Sequence, residues 1–326
     1  MILQKIHLSL GAESLFIVSG LLILLLLSWN KVLRSRVADK TRHLERQVAE
    51  NQVLIEAMAR REKLRQDIFL SLSHELRTPL HVILSALQLY EESQGTPDDQ
   101  ASSEMPDRIC QVVRSNSYRL LRVISNLIDM NRIEVGQICR EPAAVDIGQG
   151  ARQIYETVKP WFQKKGVRLS YEEADDSLVT WCDPAHLERV LLNVLSNALK
   201  FTPAGGDVLM TAVRNRISGD IVLSVKDTGP GIPETELDRV FEKYLQLDRD
   251  LTRSAEGNGL GLAIVKGLVQ LEGGTVQAVS TPGKGAEIRV RYPADGKGGA
   301  AAGSGIVHRE TLQYRAEMEF SEIIQE

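Results

Sequence analysis

The chain has 326 residues, enough for roughly two ordinary domains. Its 43% hydrophobic and 25% charged content is globular, which excludes wholesale disorder and a polytopic membrane protein. Lys plus Arg (39) nearly balance Asp plus Glu (43), for a net charge of −4, so no basic excess recommends nucleic acid as a partner.

Between Glu13 and Lys31 no residue is charged, and Leu21 to Leu27 is apolar throughout. A helix rises about 1.5 Å per residue, so roughly 20 residues cross a bilayer. Residues 14–30, with Trp29 at the edge, are therefore predicted to be a single transmembrane helix. A signal peptide is the alternative, opposed by the basic cluster after the run and by the lack of a small-residue cleavage site. Lys31, Arg34, Arg36, Lys40 and Arg42 follow at once, against a lone Lys5 upstream. That asymmetry places the N-terminus outside and the rest of the chain in the cytoplasm. The cysteines Cys110, Cys139 and Cys182 form no CxxC pair, which fits a reducing compartment rather than a disulfide framework or a zinc site.

From Lys31 to Arg77 there is neither Gly nor Pro. Val37, Thr41, Leu44, Val48, Asn51, Ile55 and Met58 alternate at spacings of four and three, a coiled-coil seam with two polar interruptions. A solvated charged helix is the plainer alternative. Ile68, Leu72, Leu76, Leu80, Ile83, Leu87 and Tyr90 extend the apolar face, and a polar loop is expected over 92–107. A second helix runs to about Ile133, with Ile109, Val113, Leu120, Ile124 and Leu127 on its apolar side. Such a hairpin is too thin to bury its own face, which predicts a dimer closing a four-helix bundle.

Beyond Asp146 the pattern predicts an α+β sandwich. Helices are expected over 147–164 and from Asp183-Pro184, a cap followed by a first-turn proline, to Lys200. Strands are expected over 167–171, 178–181, 208–213, 221–225, 275–279 and 287–291. Residues after Pro293 read as a flexible linker, and Gln313–Ile324 as a short strand or helix of unreadable role.

Four motifs carry chemistry. His74 lies on the first bundle helix, where Leu72, Leu76 and Leu80 turned inward would leave it facing solvent. A lone exposed histidine usually does nothing, but Glu75 beside it could orient the imidazole and take its proton. Pro79, one turn on, should bend the helix. Asn193, Asn197 and Lys200 share one helix face; such amides could merely cap or bridge, or hold Mg²⁺ and a phosphate. Asp227, with Gly229 and Gly231, is either a tight turn or a carboxylate for an exocyclic amine beside glycines that admit a flat base. Gly257, Gly259, Leu260 and Gly261 open a helix, an anion site suited to phosphates. A dinucleotide fingerprint is the weaker reading there, without the strand and acidic residue of a βαβ unit. The polar stretch between the last two motifs, with Tyr244 and Arg253, looks like a mobile lid.

In this order the motifs resemble the bacterial sensor histidine kinases of two-component systems, from about residue 31 to 292. The resemblance implies a multidomain chain: the transmembrane helix 14–30, a signalling coiled-coil linker 31–60, and a dimerisation and histidine-phosphotransfer domain 61–135. An ATP-binding domain of the gyrase/chaperone/mismatch-repair type follows at 143–293, then a linker and short C-terminal segment at 294–326. It implies that His74 is phosphorylated, with Glu75 and Thr78 supporting regulator dephosphorylation. Asn197 would bind Mg²⁺ and Asp227 would anchor adenine. Asn193, Lys200, Gly229, Gly231, Tyr244, Arg253, Gly257, Gly259, Leu260 and Gly261 would surround ATP. Tyr244 stands where Phe is common, and Asn258 where Thr or Ser is common.

Implied partners are a second copy and a response regulator with a receiver domain, and the implied location is a bacterial inner membrane with the kinase core in the cytoplasm. The stretch before residue 14 is too short for an outer sensor domain, so input is expected through the membrane helix or a separate sensory protein. Two other classes stay open: a conformational ATPase and a silent dimeric scaffold. The box at His74 argues against the first, and intact Asn197, Asp227 and glycine boxes argue against the second.

Overall fold

The computed structural model describes residues 2–93, 105–174, 178–245, 259–293, 309–321 and 323. The chain divides into two units, Met1–Ile68 and Phe69–Glu326. The first helix, α1 (Ile2–Ser93), supplies the whole of the first. Its apolar residues are bare in a single chain: Leu21 to Leu27 are all more than half exposed, and so are Val37, Leu44, Val48, Ile55 and Met58 of the expected seam. Among the described residues no helix is long and apolar enough to cross a membrane. The span expected at 14–30 lies partly outside them, because side chains before Gly20 are not described.

In the second unit α1 continues through Pro79 without ending, and α2 follows (Met105–Val135). The loop expected at 92–107 lies largely outside the described residues. Leu72, Pro79 and Ala86 form the buried stripe of this part of α1, while Leu80 is 47% exposed. This corrects the expected inward face. Pro79, lacking an N–H that would need a partner, sits where Leu80 was placed, and Leu80, Leu87 and Tyr90 stay open in the single chain.

The α+β part contains β1 (Ala143–Asp146), α3 (Ile147–Lys165), β2 (Arg168–Glu173), β3 (Val179–Cys182) and α4 (Pro184–Phe201). Then come β4 (Asp207–Arg214), β5 (Ile221–Asp227), a 3-10 turn at Glu234–Glu236, α5 (Gly261–Leu271), β6 (Thr275–Ser280), β7 (Ala286–Tyr292) and α6 (Arg309–Phe320). Five strands form one sheet in the order β2-β4-β5-β7-β6, with β2 parallel to β4 and the other pairs antiparallel. β1 pairs with β3 in a separate ribbon. Strand alternation buries Val208, Met210, Ala212, Leu223, Val225, Ile288 and Val290 in the core shared with the helices, as period-two patterning requires.

The helix starts follow local chemistry. Asp146 accepts from the N–H groups of Gly148 (3.0 Å) and Gln149 (3.2 Å) at the start of α3. Asp183 accepts from Ala185 N–H at 2.8 Å, with Pro184 in the first turn of α4. Its second oxygen accepts from Glu141 N–H at 2.8 Å. Gly166, at φ 73°, ends α3 in the left-handed region, where a side chain would be strained. Nearly all of α4 is buried, including Glu188 and Arg189. A helix so enclosed positions whatever polar groups it carries very firmly.

Candidate functional site: a cavity between two helices

A cavity of about 270 Å³ opens beside the C-terminal half of α4 and the end of β5. It collects Asn193, Asn197 and Lys200 from α4, Asp227 and Gly231 from the β5 exit, and Gly259 and Gly261 from the entry to α5.

Asp227 ends β5, and its Oδ1 accepts from the N–H groups of Gly229 (2.8 Å) and Ala286 (3.2 Å). Both bonds end on one oxygen, so Oδ2 remains as an acceptor for a ligand. Burial pushes its carboxyl above the ordinary range, and the two N–H groups pull the other way. The glycines beside it are close-approach positions. A Cβ on Gly229 would lie 2.9 Å from the Phe201 carbonyl oxygen, and one on Gly231 (φ 75°) 2.5 Å from that of Thr281. Ser280 ties the support together, donating to Gly285 O at 2.7 Å and accepting from Ile232 N–H at 2.8 Å.

Asn193 is held by a bond from its Nδ2 to Arg189 O at 2.8 Å, which aims its Oδ1 at the N-terminus of α5. There a Cβ on Gly261 would lie 2.9 Å from that oxygen. Leu260 is fully buried beneath. Tyr244 N–H donates to Gly259 O at 3.0 Å, so the two ends of the 246–258 segment are joined. Tyr244 takes φ 62°, the one positive φ of a non-glycine residue among those described. Arg253, Gly257 and the rest of the expected lid, residues 246–258, lie outside the described residues.

One end of the cavity thus offers a carboxylate oxygen and glycine-opened backbone, matching a base with an exocyclic amine. The other offers amides, a lysine and a helix N-terminus, matching phosphates. Among the described residues no group of three His, Cys, Asp or Glu could hold a metal. A hard cation here would take most of its oxygens from phosphate and water.

The structure does not bring His74, Glu75 or Thr78 to this cavity; among the described residues none of α1 lines it. His74 is exposed on α1, and the Thr78 hydroxyl donates to the His74 carbonyl at 3.1 Å. The wall nearest α2 comes instead from Arg122 and Asn126 of that helix and from Glu319 and Ile323 in and after α6. Arg189 of α4 donates to Asn126 and pairs with Asp129 at 3.3 Å. None of these wall residues, nor Gly285, was singled out from the sequence. For Gly285 a signal existed in the Gly283-Lys284-Gly285 turn; for the α2 and C-terminal residues there was none.

Residues 64–136 match the His Kinase A (phospho-acceptor) domain, and residues 182–296 the histidine kinase-, DNA gyrase B-, and HSP90-like ATPase family. The chain is 31% identical over 297 residues to the hybrid signal transduction histidine kinase D of Dictyostelium discoideum, covering 89% of this chain and 18% of that one. It is 33% identical over 245 residues to the autoinducer 2 sensor kinase/phosphatase LuxQ of Vibrio parahaemolyticus, covering 72% and 28%. The solved structure of full-length ShkA in complex with AMPPNP is 33% identical, with a TM-score of 0.52 over 68% of this chain and 44% of that one. The chain therefore spans less than a third of the length of the two curated relatives.

Proposed function

The chain belongs to the sensor histidine kinases, and on that premise we propose that it transfers the γ-phosphoryl group of ATP to His74 and then to an aspartate of a response regulator. The observation that carries this reading is the gathering of Asn193, Asn197, Lys200, Asp227 and the glycines into one cavity, in a chain whose α1 presents an exposed histidine next to a carboxylate.

In this reading Asp227 Oδ2 accepts from the adenine amine, and Gly229 and Gly231 let the backbone approach the ring. The start of α5, with Gly257, Gly259, Leu260 and Gly261, faces the phosphates together with Asn193, Lys200, Tyr244 and Arg253. Asn197 would hold Mg²⁺, which would supply charge to the phosphate oxygens. An imidazole nitrogen of His74 forms the new N–P bond as the bridging O–Pγ bond breaks and ADP leaves, while Glu75 takes the ring proton. Transfer of this kind depends chiefly on position and charge, which suits groups set on a helix as enclosed as α4. Thr78, one turn beyond His74, would orient water for regulator dephosphorylation.

The bare stripes on α1 support a homodimer, because a lone helix would leave them wet. Leu21 to Leu27, exposed along one helix and followed by a basic cluster, support a single membrane anchor at 14–30. On that basis the kinase core lies on the cytoplasmic face of a bacterial inner membrane, with input through that helix or a sensory partner protein. Incubation with γ-labelled ATP tests the central claim: acid-labile, base-stable label should appear on the wild type and be absent from His74→Gln. Label retained on that variant would remove His74 as acceptor.

A further inference from the structure

The C-terminal helix α6 occupies a groove formed by α2, α3 and α4, and it engages all three with different chemistry. Leu312, Ala316 and Phe320, at four-residue spacing, are fully buried. On α3, the Phe320 ring packs at a tilt against Trp161 (5.7 Å between centroids) and Phe162 (6.2 Å). On α4, Arg315 donates to the fully buried Glu188 at 3.3 Å. On α2, Tyr118 meets Tyr314 edge-on at 5.9 Å and donates its hydroxyl to Glu317 at 3.1 Å.

One residue later in the chain than Met318, Glu319 joins the two sides. Its carboxylate accepts from Ser196 at 3.2 Å and pairs with Arg189 of α4 (3.6 Å) and Arg122 of α2 (3.9 Å). Glu319 and Ile323 then complete the wall of the cavity that faces α2.

We propose that α6 is an intramolecular clasp that holds the ATP-binding domain docked on α2 in an arrangement unable to phosphorylate a histidine, so that its release from α2 switches the kinase on. This rests on the function proposed above. A phosphoryl group moves only when the imidazole reaches it, with reacting atoms about 3–3.5 Å apart. In the docked arrangement the side of the cavity toward α2 is lined by Arg122, Asn126, Glu319 and Ile323, and no described residue of α1 contributes to it. A histidine of either copy reaches the nucleotide only if that wall moves. The direct contacts between α2 and the domain, such as Arg189 with Asp129 and Ile133 against Gly267, are reinforced by a helix whose apolar stripe is anchored in the domain core and whose polar face grips α2. The contacts of α6 are thus divided: the buried stripe belongs to the domain's fold, Tyr314 and Glu317 act on α2 alone, and Glu319 bridges Arg122 of α2 and Arg189 of α4.

The test uses the full chain carrying Tyr314→Ala and Glu317→Gln together, which weakens the grip on α2 by its two contacts outside the cavity wall and leaves Glu319, Leu312, Ala316 and Phe320 in place. Losing one ring contact and one charge-assisted hydrogen bond should shift the docking equilibrium on the order of tenfold. The expected result is faster amide hydrogen exchange in the segment of α2 around Tyr118, an unchanged thermal midpoint for the ATP-binding domain, and several-fold faster labelling of His74. Unchanged exchange in α2 would show that α6 does not hold it, and faster exchange without faster labelling would show that the docked arrangement is not inhibitory. Either overturns the clasp. Absence of label on both the wild type and the variant would instead overturn the kinase reading, with the exchange result still deciding whether α6 holds α2.

Discussion

Gly261 and Asn193 meet where the start of α5 abuts α4, and a Cβ on Gly261 would lie 2.9 Å from Asn193 Oδ1. Asn193 cannot easily retreat, because it is 2% exposed and its Nδ2 is bonded to Arg189 O. Gly261→Ala should therefore displace the amide and weaken nucleotide binding on the order of tenfold to a hundredfold, with the fold retained. Titration with a fluorescent ATP analogue, alongside a thermal melt, separates the two effects.

Asp227 supplies the pH dependence. Burial raises its carboxyl above the usual range, so the native state favours its protonated form. Any stability this group contributes is present below its unfolded value and lost as pH rises through the raised native value. Nucleotide binding runs the opposite way, since an ionised Asp227 is the better acceptor for an amine. Affinity should fall on acidification at a pH above that of an ordinary aspartate, and Asp227→Asn should bind weakly with that titration step abolished. A step that persists in Asp227→Asn belongs to another group.

Gly285 stands under the same carboxylate, with φ 86° and a would-be Cβ only 1.9 Å from the Asp227 carbonyl oxygen. Gly285→Ala combines an unfavourable backbone region with a backbone clash. The expected loss is about 3 kcal/mol or more of stability, read by chemical denaturation, with nucleotide affinity falling in whatever protein remains folded.

His74 and Asn197 sit on different elements, one on α1 and the other on α4, so their defects should be separable. His74→Gln and Asn197→Asp should each abolish label in homodimers. Mixed dimers should regain it on the intact histidine if transfer crosses the dimer. Mixed dimers with verified subunit exchange and no label would place transfer within one chain.

Thr78→Ala removes a hydroxyl that donates to the His74 carbonyl of its own helix, a contact whose loss an alanine helix tolerates. Labelling of His74 should persist while dephosphorylation of the regulator drops at least tenfold. Equal loss of both activities would mark Thr78 as structural.

What could be read along the chain was whatever has a local cause. Asp183-Pro184 begins α4 because a carboxylate caps it and a proline tolerates its first turn. The strands alternate because the sheet has one buried face, and Asn193, Asn197 and Lys200 share a side because a helix has 3.6 residues per turn. That these three gather with Asp227 and the glycines was implied by the family resemblance of the motifs in their order, not by any local signal.

Tertiary structure alone decided the rest. Leu80 lies open and Pro79 buried because the two differ by one helix step, and periodicity locates a stripe no more finely than that. Gly285 matters because β6 and β7 carry it under Asp227, far away in sequence. The end of the chain shows the limit most clearly. Leu312, Ala316 and Phe320 make a short apolar stripe that any helix might carry, and its meaning comes from Trp161, Phe162, Glu188 and Tyr118. Those partners are more than a hundred residues upstream, and contacts of that range leave no period, cap or turn signal in the segment that makes them.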